Sequence, residues 1–359
     1  MDVPELKIGK LTANIPIIQG GMGVGISLSE LASAVANEGA IGVIASIGVG
    51  MNEPDLNTNF VEACSRALRM EIRRTKAMTK GIIGVNIMVA ASNYDDLVRV
   101  SIEEGADIII AGAGLPLNLP KAKQELGSDI CIVPIVSSGR AFQLLCKTWD
   151  KRFKCAPDAV VVEGPLAGGH LGFSKEELAR IDEYRLEKLV LDVIEAVKPF
   201  EEKYRRKIPV IAAGGVYTGA DIVKFIKIGA AGVQMGTRFV ATNECNADDK
   251  FKQAYINAKK EDIILIDSPV GLPGRAINNK FIEETQGGKK TPVKCPYHCI
   301  KTCKPEESPY CIAFALLNAA KGKLKNGFVF CGSNAFRIDK IISVKELIKE
   351  LTEGMAAAW

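Results

Sequence analysis

Ile208-Pro209-Val210-Ile211-Ala212-Ala213-Gly214-Gly215 opens the stretch that decides the fold, and Ala231-Gly232-Val233-Gln234-Met235-Gly236-Thr237 closes it. Each is a short, near-continuous apolar run that ends in small residues. Thr218 to Ile228 lies between them with helical spacing. Strands buried on both faces read this way, and a helical crossover joins such strands in parallel.

The unit recurs along the chain. Pro16 to Gln19, Ile41 to Ala45, Ile82 to Met88, Asp107 to Ala111, Cys131 to Val136 and Asp158 to Val162 complete a set of eight strands. Helical patterns cover Ser27 to Asn37, Asp55 to Met78, Tyr94 to Glu104, Gly139 to Thr148 and Ser174 to Val197. Ser27 with Glu30, and Ser174 with Glu177, read as capping boxes. Asn246 to Lys260 reads as the eighth helix. Eight such units in about 260 residues match an α/β TIM (β/α)8 barrel. A doubly wound open sheet is the rival. Its nucleotide fingerprint needs an acidic residue after the second strand, and here Ala45 is followed by Ser46. Residues 1–260 are therefore assigned to the barrel. Residues 261–359 form a helical, cysteine-containing C-terminal extension packed on it, with helices expected at Ile312 to Lys321 and Val344 to Met355.

The 359 residues carry a formal net charge of +4. Basic and acidic residues alternate, as in Glu71-Ile72-Arg73-Arg74, so neither a nucleic-acid nor a membrane partner is expected. No apolar run reaches the roughly 18 residues of a membrane span, and no basic segment leads into an apolar core at the start. The expected compartment is the cytoplasm, where thiols stay reduced. The scattered cysteines, six of the ten, read as small buried hydrophobes.

In a barrel of this type the chemistry sits at the C-terminal ends of the strands. Those ends carry Gly21, Met22 and Gly23, then Ser46, Asn86, Gly112 and Ser137. Glu163 and Gly169 follow strand six, and Ala213 with Gly214 and Gly215 ends strand seven. Gln234, Gly236 and Thr237 end strand eight. Loops after strands seven and eight hold phosphate groups on free N–H donors, so Gly214, Gly215, Gly236 and Thr237 are the candidate phosphate ligands. His170 stands between glycines in Gly168-Gly169-His170-Leu171-Gly172, where core packing explains a titratable ring poorly. Its ordinary pKa suits proton transfer or hydrogen bonding to an anion.

Pro16 to Gly23, Gly84-Val85-Asn86, Glu163-Gly164, Gly168 to Gly172, Ala212 to Gly215, Gln234 to Phe239 and Ser268-Pro269-Val270-Gly271 together resemble the nitronate monooxygenase (2-nitropropane dioxygenase) family. That family includes the FMN-dependent enoyl-acyl-carrier-protein reductases. The resemblance implies a TIM barrel with non-covalent FMN. Gly21, Met22 and Gly23 would lie against the flavin ring, and Asn86 and Gln234 would hydrogen-bond it. His170 matches the catalytic base of the nitronate oxidisers. Pro165-Leu166-Ala167 departs from the Glu-Ala common in the family, which leaves substrate identity open. Three functions follow as expectations. The first is oxidation of alkyl nitronates. The second is reduction of an enoyl thioester with NAD(P)H as electron donor. The third is flavin and iron–sulfur electron transfer. The substrate is a small molecule or an acyl thioester, and the expected assembly is a homodimer.

Cys295, Cys299, Cys303 and Cys311 stand apart from those motifs. Spacing of four would align the first three on one helical face. Four thiolates so close in sequence suit a [4Fe–4S] cluster, with structural zinc or unliganded redox thiols as alternatives.

Overall fold

The computed structural model describes residues 3–291 and 294–359. Eight parallel strands form its centre: β1 (Ile17–Gln19), β2 (Gly42–Ala45), β3 (Ile83–Met88), β4 (Ile108–Gly112), β5 (Cys131–Val136), β6 (Val160–Glu163), β7 (Val210–Ala213) and β8 (Gly232–Met235). They pair in the order β1-β8-β7-β6-β5-β4-β3-β2. A parallel bridge from Ile18 to Ile41 joins the two ends and closes the barrel.

Alternation decides what fills it. Ile18, Val43, Ile110, Val133, Val161 and Ile211 form an inner core, while their neighbours along each strand face the surrounding helices. An N-terminal hairpin, Leu6–Ile8 with Leu11–Ala13, adds Leu6, Ile8 and Ala13 to that inner core and stoppers the bottom of the barrel. The opposite, C-terminal end is thereby the open one.

The helix expected from Asp55 begins only at Phe60 and the one from Gly139 runs on to Phe153; four further departures matter more. Helix α1 spans Ser29–Asn37 and has no side-chain cap. The Ser27 hydroxyl is spent on Met22 instead, accepting from its N–H at 2.9 Å. The helix expected over Ser174 to Val197 is two, Lys175–Ala179 and Leu186–Tyr204; the first does begin with the Ser174–Glu177 capping box. A further helix, Leu119–Glu125, follows β4 with Pro120 in its first turn. Finally, Asn246 to Lys260 yields only Asp249–Asn257. The eighth helical place is taken by the last helix, Val344–Ala358, which packs against both Gly219–Lys227 and α1. Its crossing with Gly219–Lys227 is close: a Cβ on Gly219 would stand 2.3 Å from the Met355 nitrogen.

The extension also adds a small antiparallel sheet over the open end. It contains β9 (Ile263–Asp267), β10 (Pro273–Ile277) and β11 (Val329–Phe330). A two-residue strand, Gly169–His170, joins β10 in the register Gly274 to His170.

Candidate functional site

A cavity of 340 Å³ occupies the open end of the barrel. Of the residues expected at the strand ends, all but Ser137 border it. Gly21, Met22 and Gly23 come from the loop after β1, and Asn86 from β3. Glu163, Gly169 and His170 come from β6 and the segment beyond it. Ala213, Gly214, Gly215, Gln234, Gly236 and Thr237 close the far side.

The β1 loop lies tight against β3. A Cβ on Gly21 would stand 2.2 Å from Asn86 Cβ, so only glycine fits there. Asn86 donates from Nδ2 to the Ile110 carbonyl at 3.3 Å. Gly214 and Gly215 both take positive φ, 97° and 86°, which turns the chain at the end of β7. The Gly215 carbonyl accepts from Asn334 Nδ2 at 2.7 Å, and Thr237 Oγ1 accepts from the Gly332 N–H at 3.1 Å. The extension therefore grips the loops after β7 and β8.

Two polar side chains reach this cavity without a protein partner to balance their burial. Gln234 Oε1 is buried and accepts no hydrogen bond from the described residues. Glu163 lies in register beside Ala213, which in turn pairs with Gln234. Burial pushes the Glu163 carboxyl up to about 7, since desolvation disfavours its charged form. Its remaining exposure is to the cavity.

His170 is held from several sides. Nε2 is 2.7 Å from Ser268 Oγ, and Ser268 Oγ also accepts from the Val270 N–H at 3.4 Å. The ring meets Phe330 edge-on, with centroids 5.0 Å apart. Phe330 is fixed in turn by Tyr255, whose hydroxyl donates to the Phe330 carbonyl at 2.7 Å. Gly274 makes room for that ring: a Cβ there would stand 2.7 Å from Phe330 Cε1. Arg275, buried, donates to the Ala167 carbonyl, and the Leu171 N–H donates to the Pro273 carbonyl at 2.9 Å. The segment that reads as a glycine loop is thus a strand anchored by the extension. Burial lowers the His170 pKa to about 4, so the ring is neutral at pH 7. A neutral imidazole there can accept a proton or hydrogen-bond an anionic group.

Ser268, Arg275, Phe330 and Asn334 have no role legible in the sequence, although Ser268 lies within a motif already singled out. An apolar arm of the cavity was also not foreseen. Met51, Phe60, Cys64, Val270, Ile300 and Leu316 line it.

Of the cysteine group, Cys299 alone borders the cavity. Cys295 to Cys303 do not form a helix; the segment is turns and irregular chain, so the expected shared helical face is corrected. His298 takes positive φ, 44°, which breaks any helix there. The sulfurs nonetheless lie near one another. Burial, then Cys311, Cys295 and Cys303, push the Cys299 thiol up to about 12. Among the described residues no group of three or more His, Cys, Asp or Glu is arranged to hold a single metal ion. Of the scattered cysteines, Cys64, Cys131, Cys146, Cys245 and Cys331 are buried and Cys155 is partly so. No described helix is long and apolar enough to cross a membrane.

Comparisons with known proteins agree with this architecture. A "Probable nitronate monooxygenase" of Staphylococcus aureus is 27% identical over 304 residues, covering 76% of this chain and 78% of that protein. A Mycobacterium tuberculosis protein named "(3aS,4S,5R,7aS)-5-hydroxy-7a-methyl-1-oxo-octahydro-1H-indene-4-carboxyl-CoA dehydrogenase" is 28% identical over 275 residues, 77% of this chain and 66% of that protein. The match thus spans just under two thirds of the latter's length. The structure of FabK from Thermotoga maritima superposes with a TM-score of 0.74 at 28% identity, covering 98% of this chain and 94% of that one. The family model for nitronate monooxygenase matches residues 4–354, and the chain therefore belongs to the nitronate monooxygenase family, whose members are FMN-dependent oxidoreductases.

Proposed function

We propose that the protein binds FMN at the open end of the barrel and oxidises alkyl nitronates with dioxygen. The residues present fit that cofactor. The orphaned Gln234 Oε1 needs a donor, and Gly21 leaves a flat wall against Asn86. Gly21, Met22 and Gly23 would lie along the ring, with Asn86 and Gln234 hydrogen-bonding its edge. Gly214, Gly215, Gly236 and Thr237 would hold the phosphate, with Glu163, Gly169 and Ala213 completing the wall. Bound FMN would supply the electron-accepting chemistry that side chains lack.

The observation that carries the reading is the neutral His170 on the cavity wall, hydrogen-bonded to Ser268. Its imidazole removes the α-proton of a nitroalkane or hydrogen-bonds the nitro oxygens of a nitronate. Approach of that anion raises the imidazole pKa toward neutrality, which favours a protonated ring that pairs with the nitronate oxygens.

The apolar arm lined by Met51, Phe60 and Leu316 favours a second reading. A chamber of that character suits an acyl chain, and NAD(P)H would then reduce an enoyl thioester through the cofactor. The relative named as a carboxyl-CoA dehydrogenase is in keeping with a thioester substrate.

Anaerobic mixing with NADH or NADPH separates the two. The nitronate reading expects no rapid flavin bleaching, and oxygen uptake on adding ethyl nitronate or propionate 3-nitronate. Rapid bleaching without nitronate-dependent oxygen uptake establishes the reductase instead.

A further inference from the structure

We propose that the apolar arm of the cavity receives the tail of the substrate, and that Phe60, backed by Tyr297 of the extension, is the stop that limits tail length. The proposal rests on the reading that substrate reacts at the His170 end of the same cavity. It holds for a nitronate or an enoyl headgroup alike.

The arm leads away from the proposed flavin wall. Met51 comes from the loop after β2, Phe60 and Cys64 from the first turns of the helix Phe60–Met78, and Met88 from the end of β3. Ile300 and Leu316 of the extension complete the lining. Because the arm and His170 belong to one cavity, a molecule whose reacting carbon lies at the imidazole can extend its apolar end into the arm. Burying that end there removes apolar surface from water on both sides.

Packing fixes these walls. A Cβ on Gly50 would stand 2.9 Å from Cys64 Sγ, so the loop after β2 lies directly on the helix. The Ser92 N–H donates to the Cys299 carbonyl at 3.1 Å, and the Lys301 N–H donates to the Ala90 carbonyl at 2.9 Å. Those bonds hold the segment that carries Tyr297 against the loop after β3.

Phe60 and Tyr297 stack with centroids 4.8 Å apart and planes within 3°. The Tyr297 hydroxyl contacts Met51 Sδ at 3.8 Å. Phe60 borders the cavity and Tyr297 does not, so the tyrosine backs the phenyl ring. A lone phenylalanine in the first turn of a helix could swing aside for a longer tail. One stacked on an anchored tyrosine resists that movement.

Asn93 gives a second sign of an occupant. It is 3% exposed and borders the cavity, yet its side chain does not cap the helix Tyr94–Glu103 that it precedes. Its neighbour Cys64 is a weak partner for an amide. A tail that carries a hydrogen-bonding oxygen would complete that amide.

The test is calorimetric titration of the full-length protein with primary alkanols from butanol to dodecanol, which reads the pocket without turnover. Affinity should rise about fourfold per methylene and then stop rising at a limiting length. Phe60→Ala should move that limit outward by about two methylenes or more, Phe60→Leu by less, and Phe60→Trp should move it inward. Tyr297→Ala should act in the direction of Phe60→Ala, because the ring loses its backing. Thermal melts identify which variants are folded. The same shifts are expected in kcat/KM along a matching series of alkyl nitronates or enoyl thioesters. A shifted alkanol limit without turnover of either series would support the tail pocket and reject the reaction assigned to it. Nitronate turnover with the same limit in wild type and in folded Phe60 variants would overturn the stop and leave the reaction standing. An affinity independent of chain length in the wild type would overturn the tail pocket itself.

Discussion

His170 Nε2 stands 2.7 Å from Ser268 Oγ, across 98 residues of sequence. One partner follows β6 and the other follows β9, so the contact ties the barrel's reactive wall to the extension. Because Ser268 Oγ already accepts from the Val270 N–H, its hydroxyl proton is free to point at a bare Nε2. With the other tautomer, Nε2–H donates to the same oxygen. Either way the ring orientation is set before substrate arrives, which is how a positioned base gains its efficiency.

Removing the ring should cost more than removing its support. His170→Ala is expected to lower kcat/KM by about 10²-fold or more. Ser268→Ala should lower kcat by about 10-fold and shift the pH profile, because the imidazole loses a partner but keeps its place. FMN content should be unchanged in both. Steady-state kinetics across pH check this; wild-type turnover in His170→Ala would remove the base from the scheme.

Glu163 makes a pH prediction for the apoprotein. Its native pKa, about 7, is raised above the ordinary 4.5. Between those values the native carboxyl keeps a proton that the unfolded chain has lost, so stability falls as pH rises through that window. His170 acts oppositely: its native pKa, about 4, lies below the ordinary 6.5, so stability falls as pH drops between them. The two partly cancel in the wild type. Glu163→Gln should therefore raise stability above pH 7 by about 1–3 kcal/mol. It should also expose a steeper loss on acidification. Denaturant melts from pH 4 to 8 check both slopes.

Arg275 is the buried strut under the reactive segment. It donates to the Ala167 carbonyl from the strand that pairs with Gly169–His170. Arg275→Met should leave that carbonyl without its partner and cost about 2–4 kcal/mol. It should also cut activity, because Gly169–His170 loses a fixed neighbour. Thermal melts alongside kinetics test it; full activity in a destabilised Arg275→Met would restrict the arginine to a folding role.

The barrel was legible because β3 to β8 are continuous apolar runs whose ends change character at the functional rim. Glycine marks that rim at Gly21, Gly214 and Gly215, where backbone geometry or close approach excludes a side chain. The small sheet over the open end was not legible. Gly169–His170 is two residues long, too short for any period, and its partner lies past residue 270. Val344–Ala358 reads plainly as an amphipathic helix, but its docking beside Gly219 depends on a glycine contact rather than on pattern. Ser27 misled because a hydroxyl followed by Glu30 has the capping signature, whereas its hydrogen bonds hold the Met22 loop. The cysteine spacing fitted a helix, and the turn at His298 replaced it.

Gly21 is the sharpest test of the proposed flavin wall. A Cβ added there would stand 2.2 Å from Asn86 Cβ and 2.7 Å from Asn86 Cγ. Contacts that short cannot persist, so either the β1 loop or Asn86 must move. The loop is held by the paired hydrogen bonds between Met22 and Ser27, and β3 is fixed between two barrel neighbours. Gly21→Ala should therefore displace the Asn86 amide from the cavity and weaken FMN retention by about 10-fold or more, a cost of about 1.4 kcal/mol at least. The double variant Gly21→Ala with Asn86→Gly removes the clashing Cβ, so it should regain the global stability lost in Gly21→Ala. It should still bind FMN more weakly than wild type, because the amide is gone. Fluorescence titration of apoprotein with FMN and parallel melts separate the two effects. Wild-type FMN affinity in Gly21→Ala would show that the cofactor does not lie along this wall.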